Sequence, residues 1–352
     1  MGYNAGWQAL NMIMTGKVPR MELSAENHWA LVKKVTGIDT GIHANRSAAS
    51  VKFVKEWDYS FIWSTDTHKQ HLERFGKTTN MGHSVYNELA DGSSDRDDNV
   101  HALFTDVDEA LKLDCYKAYG QFDQKELIKS FNAGYKDRCG LYPDAVNMNG
   151  VYITVISGLN YIYGWEMLLE CIAYPEFEKV VESYSQWAMQ FFEAFAKSDV
   201  PVLMVHDDMV WTSGKFASKE WYDRNVIKNI KKYMAPCKAA GKKIMFTSDG
   251  DYRELYDDIV RCGADVLVFE PGSDMEGFAK KYGKTHGFVG DVDTRVLLMG
   301  DKHDIEREVK RVMNFGKQYP GFVCSVSNHI PQNTPVDNAL WYNEMYNKYA
   351  QR

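Results

Sequence analysis

Cysteine is sparse and scattered. The six residues Cys115, Cys139, Cys171, Cys237, Cys262 and Cys324 lie far apart and form no C-x-x-C pair. That spacing excludes a disulfide framework and a structural zinc knuckle, and it fits reduced thiols in a cytoplasm. Long runs of like charge are absent and the net charge is −7, which excludes a nucleic-acid or anionic-membrane surface as the main partner. No stretch reaches the ~18 apolar residues that span a bilayer. Residues 1–14 lack the basic and apolar blocks of an export signal. The expectation is a cytoplasmic protein with no nucleic-acid and no membrane partner.

What is present is ordinary globular material, 45% hydrophobic and 25% charged, which rules out disorder, collagen and simple coiled coil. At 352 residues the chain accommodates one barrel of about 250 residues plus an extension. Trp7, Leu10 and Met14, then Trp29, Leu31, Val32 and Val35, recur at helical spacing on either side of Pro19. This predicts an N-terminal helical extension over 1–55. From 56 to 352, short apolar runs alternate with amphipathic helices, the signature of parallel strands joined by crossover helices. Strands are predicted at 59–63, 145–148, 202–205, 243–246, 266–269, 287–289 and 322–326. A helix is predicted after Pro175, where Phe177, Val180, Val181, Tyr184, Trp187 and Phe191 make one stripe.

Five of these strands end alike, in His206-Asp207-Asp208, Thr247-Ser248-Asp249-Gly250, Glu270-Pro271-Gly272, Gly290-Asp291-Val292-Asp293 and Ser327-Asn328-His329. A (β/α)8 TIM barrel brings all strand C-termini to one face, so the predicted fold class is α/β with that barrel. A doubly wound open sheet is the second choice. Carboxylates crowded into one pocket raise one another's pKa unless a cation or donors neutralise them, and mixed His/Asp/Glu sets serve catalytic zinc. The plainer reading is that strand-end Asp residues such as Asp249 and Asp293 cap the following helices. Aromatic residues reach 13%, including 9 Trp and 21 Tyr. Trp63, Tyr152, Tyr161, Tyr163 and Trp211 could sandwich a flat ligand, with Trp211 preferred, or Tyr161 and Tyr163 could simply be core.

Lys17-Val18-Pro19-Arg20, Met245-Phe246-Thr247-Ser248-Asp249-Gly250, Phe269-Glu270-Pro271, the run from Gly290 to Leu297 and the tail from Ser327 to Pro335 resemble the uroporphyrinogen decarboxylase superfamily. The resemblance implies the same barrel. The superfamily holds decarboxylases and corrinoid-linked methyltransferases. Its porphyrinogen decarboxylases carry an Arg-rich N-terminal segment, where this chain offers Arg20 beside Glu22 and Glu26. Its thiol-activating methyltransferases carry a His-x-Cys pair and a late Cys, where this chain has Thr247 and Asp249, then Asn328-His329. Oxygen and nitrogen donors leave zinc more Lewis-acidic, which suits polarising an ether oxygen.

The chain therefore resembles the methyltransferase I component of corrinoid-dependent O-demethylase systems. The resemblance implies Zn2+, a methoxylated aromatic substrate, and a Co(I) corrinoid (cobalamin) held by a separate partner protein, since no D-x-H-x-x-G motif occurs. The implied ligands are Asp249, Glu270 and His329. A rival set takes Asp293 and Glu308 with His329, His206 serving as a further donor or a wall residue. Glu308 has an alternative role pairing with Arg311 on its own helix. Asp207 and Asp208 read as proton donors to the departing phenolate or as loop and helix caps. Trp211, Trp63 and Tyr152 are the substrate-binding candidates. The alternatives are a decarboxylase-like lyase using Arg46, Arg253 and Arg295 at the mouth, a methylcobalamin:thiol methyltransferase relative, and a metal-free scaffold. Exposed aromatic helices permit a homodimer.

Overall fold

Each predicted apolar run forms a strand, and all these strands are parallel. The computed structural model describes residues 2–64, 103–152, 154–326 and 328–352, with the backbone of one antiparallel pair, Val85–Glu88 and Ser94–Asp97. Phe61–Ile62 pairs with Val146–Asn147, which runs on through Met148 into Asn149–Val151. From there a sheet passes in chain order through Val202–His206, Lys243–Thr247, Val266–Val268 and Gly287–Val292 to Phe322–Val326. Helices follow the strands on the outside. Phe177–Lys197 begins just after Pro175 and buries Phe177, Val180, Val181, Tyr184, Trp187 and Phe191, the predicted stripe.

The gap between Phe322–Val326 and Phe61–Ile62 is filled by residues 19–21, which the sequence reading placed in a helical extension. Cys324 N donates to Pro19 O at 2.9 Å and Met21 N to Cys324 O at 3.0 Å, while Ser60 N donates to Arg20 O at 2.8 Å. These bonds close the ring. Proline suits this seam because only its carbonyl is used. The first fifty-five residues supply helices Gly2–Leu10, Trp29–Thr36 and Arg46–Glu56 and also an eighth, irregular strand position of the barrel.

Period-two alternation divides the strand side chains between two cores. Phe61, Val146, Met148, Val202, Met204, Met245, Val266, Val268, Val289 and Val323 fill the interior with Met21, Ala9 and Leu10, whereas Leu203, Val205, Ile244, Phe246 and Leu267 meet the helices. Each fully buried side chain of this size contributes about 1.5–3 kcal/mol. No helix among the described residues is long and apolar enough to cross a membrane.

The seam carries a buried ion pair. Arg20 and Glu22 are both shielded from solvent and joined at 2.8 Å. The Arg20 guanidinium lies 4.3 Å from the Trp57 ring centre and 4.5 Å from that of Tyr346. Glu22 accepts from Tyr342 Oη at 2.5 Å and from Val326 N at 2.8 Å. Removing one partner leaves a buried charge alone. Glu22→Ala is expected to cost about 3–5 kcal/mol, and Arg20→Met with Glu22→Leu to recover most of it. Urea midpoints for the three proteins check this; an unchanged Glu22→Ala midpoint would contradict it.

Candidate active site

The interior alternation continues past the strand ends and selects the residues that face the mouth. Val202 and Met204 point inward, so His206 does too; the same parity from Met245 reaches Asp249, from Val268 reaches Glu270, and from Met148 reaches Tyr152. His206 Nε2 lies 2.9 Å from Asp208 Oδ1. Asp249 N donates to that same oxygen at 3.0 Å, and Tyr152 Oη donates to Asp208 Oδ2 at 2.7 Å. Tyr152 also stacks on the His206 ring at 3.9 Å, and Trp63 meets that ring edge-on at 6.2 Å. Donor atoms of His206, Asp208 and Asp249 all lie within 4.8 Å of one another.

This trio is charge-rich, two carboxylates standing beside one imidazole. Burial, then the charges of Asp208 and Glu270, push the Asp249 carboxyl well above the usual carboxylate range. His206 Nδ1 is buried without a hydrogen-bond partner among the described residues. One imidazole with two carboxylates matches the donor chemistry of a catalytic zinc ion. The residues present fit such a metal.

The structure redistributes the other predicted ligands. Glu270 borders the trio, accepting from Gly250 N at 3.1 Å and from Asn328 Nδ2. His329 is exposed, with its ring 2.9 Å from Ser24 Oγ. The side chain that the last strand sends to the cluster is thus that of Asn328, the neighbour of the residue chosen from sequence. The rival pair is held elsewhere. Asp293 caps the helix Thr294–Met299 and pairs with Arg295 at 2.7 Å. Glu308 accepts from Asp293 N and pairs with Arg311 at 2.7 Å.

Of the two strand-end acids, Asp207 points away from the mouth. It is out of phase with His206 and fully buried, accepting from Ser157 N at 2.8 Å and Val155 N at 3.2 Å at the start of helix Ile156–Ile172. Asp208 faces the mouth. Tyr161 and Tyr163 are core. Trp211 stands at the rim, 45% exposed. Arg253 pairs with Asp251 and Arg46 lies over Trp29, so neither they nor Arg295 form a basic cluster. A cavity of about 800 Å³ lies elsewhere, around Lys55, Tyr59, Tyr142 and Ala145; Tyr59 and Ala145 precede their strands, so it opens at the N-terminal end, away from the strand ends where barrel chemistry gathers.

A (β/α)8 barrel with an acid–imidazole cluster at its C-terminal mouth is the class that fold and geometry define. Residues 163–349, more than half of the chain, match the family described as Uroporphyrinogen decarboxylase (URO-D). The chain belongs to that family. A uroporphyrinogen decarboxylase from Hydrogenobaculum sp. (strain Y04AAS1) is 25% identical over 172 residues, 48% of this chain and 47% of that protein. The matched part spans about half the length of this curated relative. A methyltransferase from Methanosarcina mazei shares the fold with a TM-score of 0.64 and 13% identity, over 99% of this chain and 98% of that one.

Burial pushes the Asp207 carboxyl up to about 6. Its folded form holds a proton more tightly than the unfolded chain does. Its contribution to stability is therefore full below about pH 4 and lost as pH rises through 6. In Asp207→Asn the amide nitrogen faces a backbone donor, at a cost of about 1–3 kcal/mol. Denaturant midpoints should show that deficit largest near pH 4 and smaller at pH 7; a deficit independent of pH would refute the assignment.

Proposed function

We propose that this chain is a zinc-dependent methyltransferase that demethylates a methoxylated aromatic substrate and hands the methyl group to the Co(I) corrinoid of a partner protein. The observation that carries the reading is the His206–Asp208–Asp249 cluster at the mouth, in a barrel whose Arg20 is sealed away. Arg20 is fully buried and paired with Glu22, so it cannot receive a polycarboxylate. Asp208, Asp249 and Glu270 would repel one. This weighs against the decarboxylase alternative.

His206, Asp208 and Asp249 would hold the metal, with Glu270 beside them. Zinc bound there supplies Lewis acidity for charge that develops on a departing aryl oxide. The chain's own residues do the positioning. Tyr152 fixes Asp208 through its hydroxyl and His206 through its ring face, the outer-layer support that metal ligands require. Trp63 walls the imidazole on its edge. Asn328 orients Glu270. The methyl acceptor must reach the substrate from the open end of the barrel, consistent with a corrinoid carried on a separate protein.

Metal analysis tests the reading. Wild-type protein is expected to hold near-stoichiometric zinc, which His206→Ala and Asp249→Ala lose and His329→Ala keeps. Zinc-free wild type after dialysis against zinc would sink the mechanism, and loss in His329→Ala would restore the ligand set read from sequence. Tyr152→Phe keeps the stack and removes the hydrogen bond; competition with a chelator should show zinc affinity about 10–100-fold weaker.

A further inference from the structure

Next to the acid cluster the mouth carries an aromatic group that the proposed metal site does not use. Trp165 sits at a break in helix Ile156–Ile172, where Gly164 adopts φ 71° and ψ 162°, a left-handed conformation that favours glycine. After this turn the Trp165 ring lies edge-on to two others, 6.3 Å from Trp211 and 5.5 Å from Phe216. Trp211 and Phe216 are 5.8 Å apart. Trp211 and Gly214 exchange backbone hydrogen bonds at 2.9 and 3.0 Å, a tight turn that presents the indole outward, and it is 45% exposed.

This group is locked to the metal-site loop. Asp251 N donates to Trp211 O at 3.3 Å. Gly250, at φ 79°, lets that carbonyl approach: a Cβ there would lie 2.5 Å from it. Gly250 is the residue after Asp249, and its N–H holds Glu270. The aromatic rim and the acid cluster therefore sit on two loops in direct main-chain contact, and their spacing is fixed by a position that favours glycine.

Resting on the function proposed above, we propose that Trp165, Trp211 and Phe216 form the ring subsite, with the Trp211 face stacking on a flat, uncharged aromatic ring whose substituent points toward Asp249. Trp165 and Phe216 buttress the Trp211 indole from two sides and so determine specificity for planar rings. The three rings touch one another and leave no space between them for a methylammonium head, the ligand that an aromatic cage would take. An anionic ring substituent on the cluster side would face Asp208, Asp249 and Glu270. The substrate class is thus a neutral methoxyarene.

The test is ligand-observed NMR titration of chelator-treated full-length protein with anisole, methoxycyclohexane and tetramethylammonium, so that it does not depend on zinc. Wild type should bind anisole more tightly than its saturated counterpart. Trp211→Leu, at an exposed position, and Trp165→Leu should each weaken anisole by about two- to twelve-fold, the worth of one aromatic contact, and leave methoxycyclohexane unchanged. Equal affinities for the two ethers in wild type, anisole binding that survives both substitutions, or preferential binding of tetramethylammonium would each overturn the subsite. Ring binding of the expected pattern in a protein that takes up no zinc would support the subsite and refute the metal reading alone.

Discussion

Closure of the barrel at residues 19–21 is the constraint on which the rest depends. An open sheet would spread His206, Asp249 and Glu270 across an edge; a closed ring converges them. The closing segment makes three main-chain hydrogen bonds to its neighbours, at Cys324 and Ser60, and it is held by a guanidinium between aromatic rings and a carboxylate that also binds Val326 N and Tyr342. That carboxylate ties the first strand position to the last. The same closure turns alternating side chains into an apolar floor of Met204, Met245, Val268 and Val289 beneath the acid cluster.

The electrostatics of the mouth follow from that convergence. Three acids, Asp208, Asp249 and Glu270, enter one partly enclosed space with the imidazole of His206. Coulomb repulsion at low effective dielectric is offset either by protonation, as the raised Asp249 carboxyl indicates, or by a cation. Around this charge the protein spends neutral donors: Tyr152 on Asp208, Asn328 on Glu270, and main-chain N–H groups of Asp249 and Gly250. Neutral donors orient carboxylates without discharging them, which leaves them able to bind a metal.

Seven strands were legible because each is an apolar run bounded by polar or glycine residues. The closing segment was not: it is three residues long, contains proline, and centres on an arginine that reads as surface. The mouth was legible as a set of strand-end acids, but not as a geometry. Adjacent residues in a strand face opposite sides, so Asp207 and Asp208 look equivalent in sequence and differ by a full side of the sheet. The same one-residue ambiguity separates Asn328, which meets Glu270, from the exposed His329. Trp165 was hidden because it lies inside a long, mostly apolar helix, where a single glycine, Gly164, is the only local sign of the break.

The central claim is that a metal is held by nitrogen and oxygen donors at the mouth, without thiolate. Zinc K-edge absorption on the purified protein tests it most directly. The expected spectrum has a shell near the ~2.0–2.1 Å of nitrogen and oxygen ligands with the signature of one imidazole. A sulfur shell near ~2.3 Å, or no bound zinc, would contradict it.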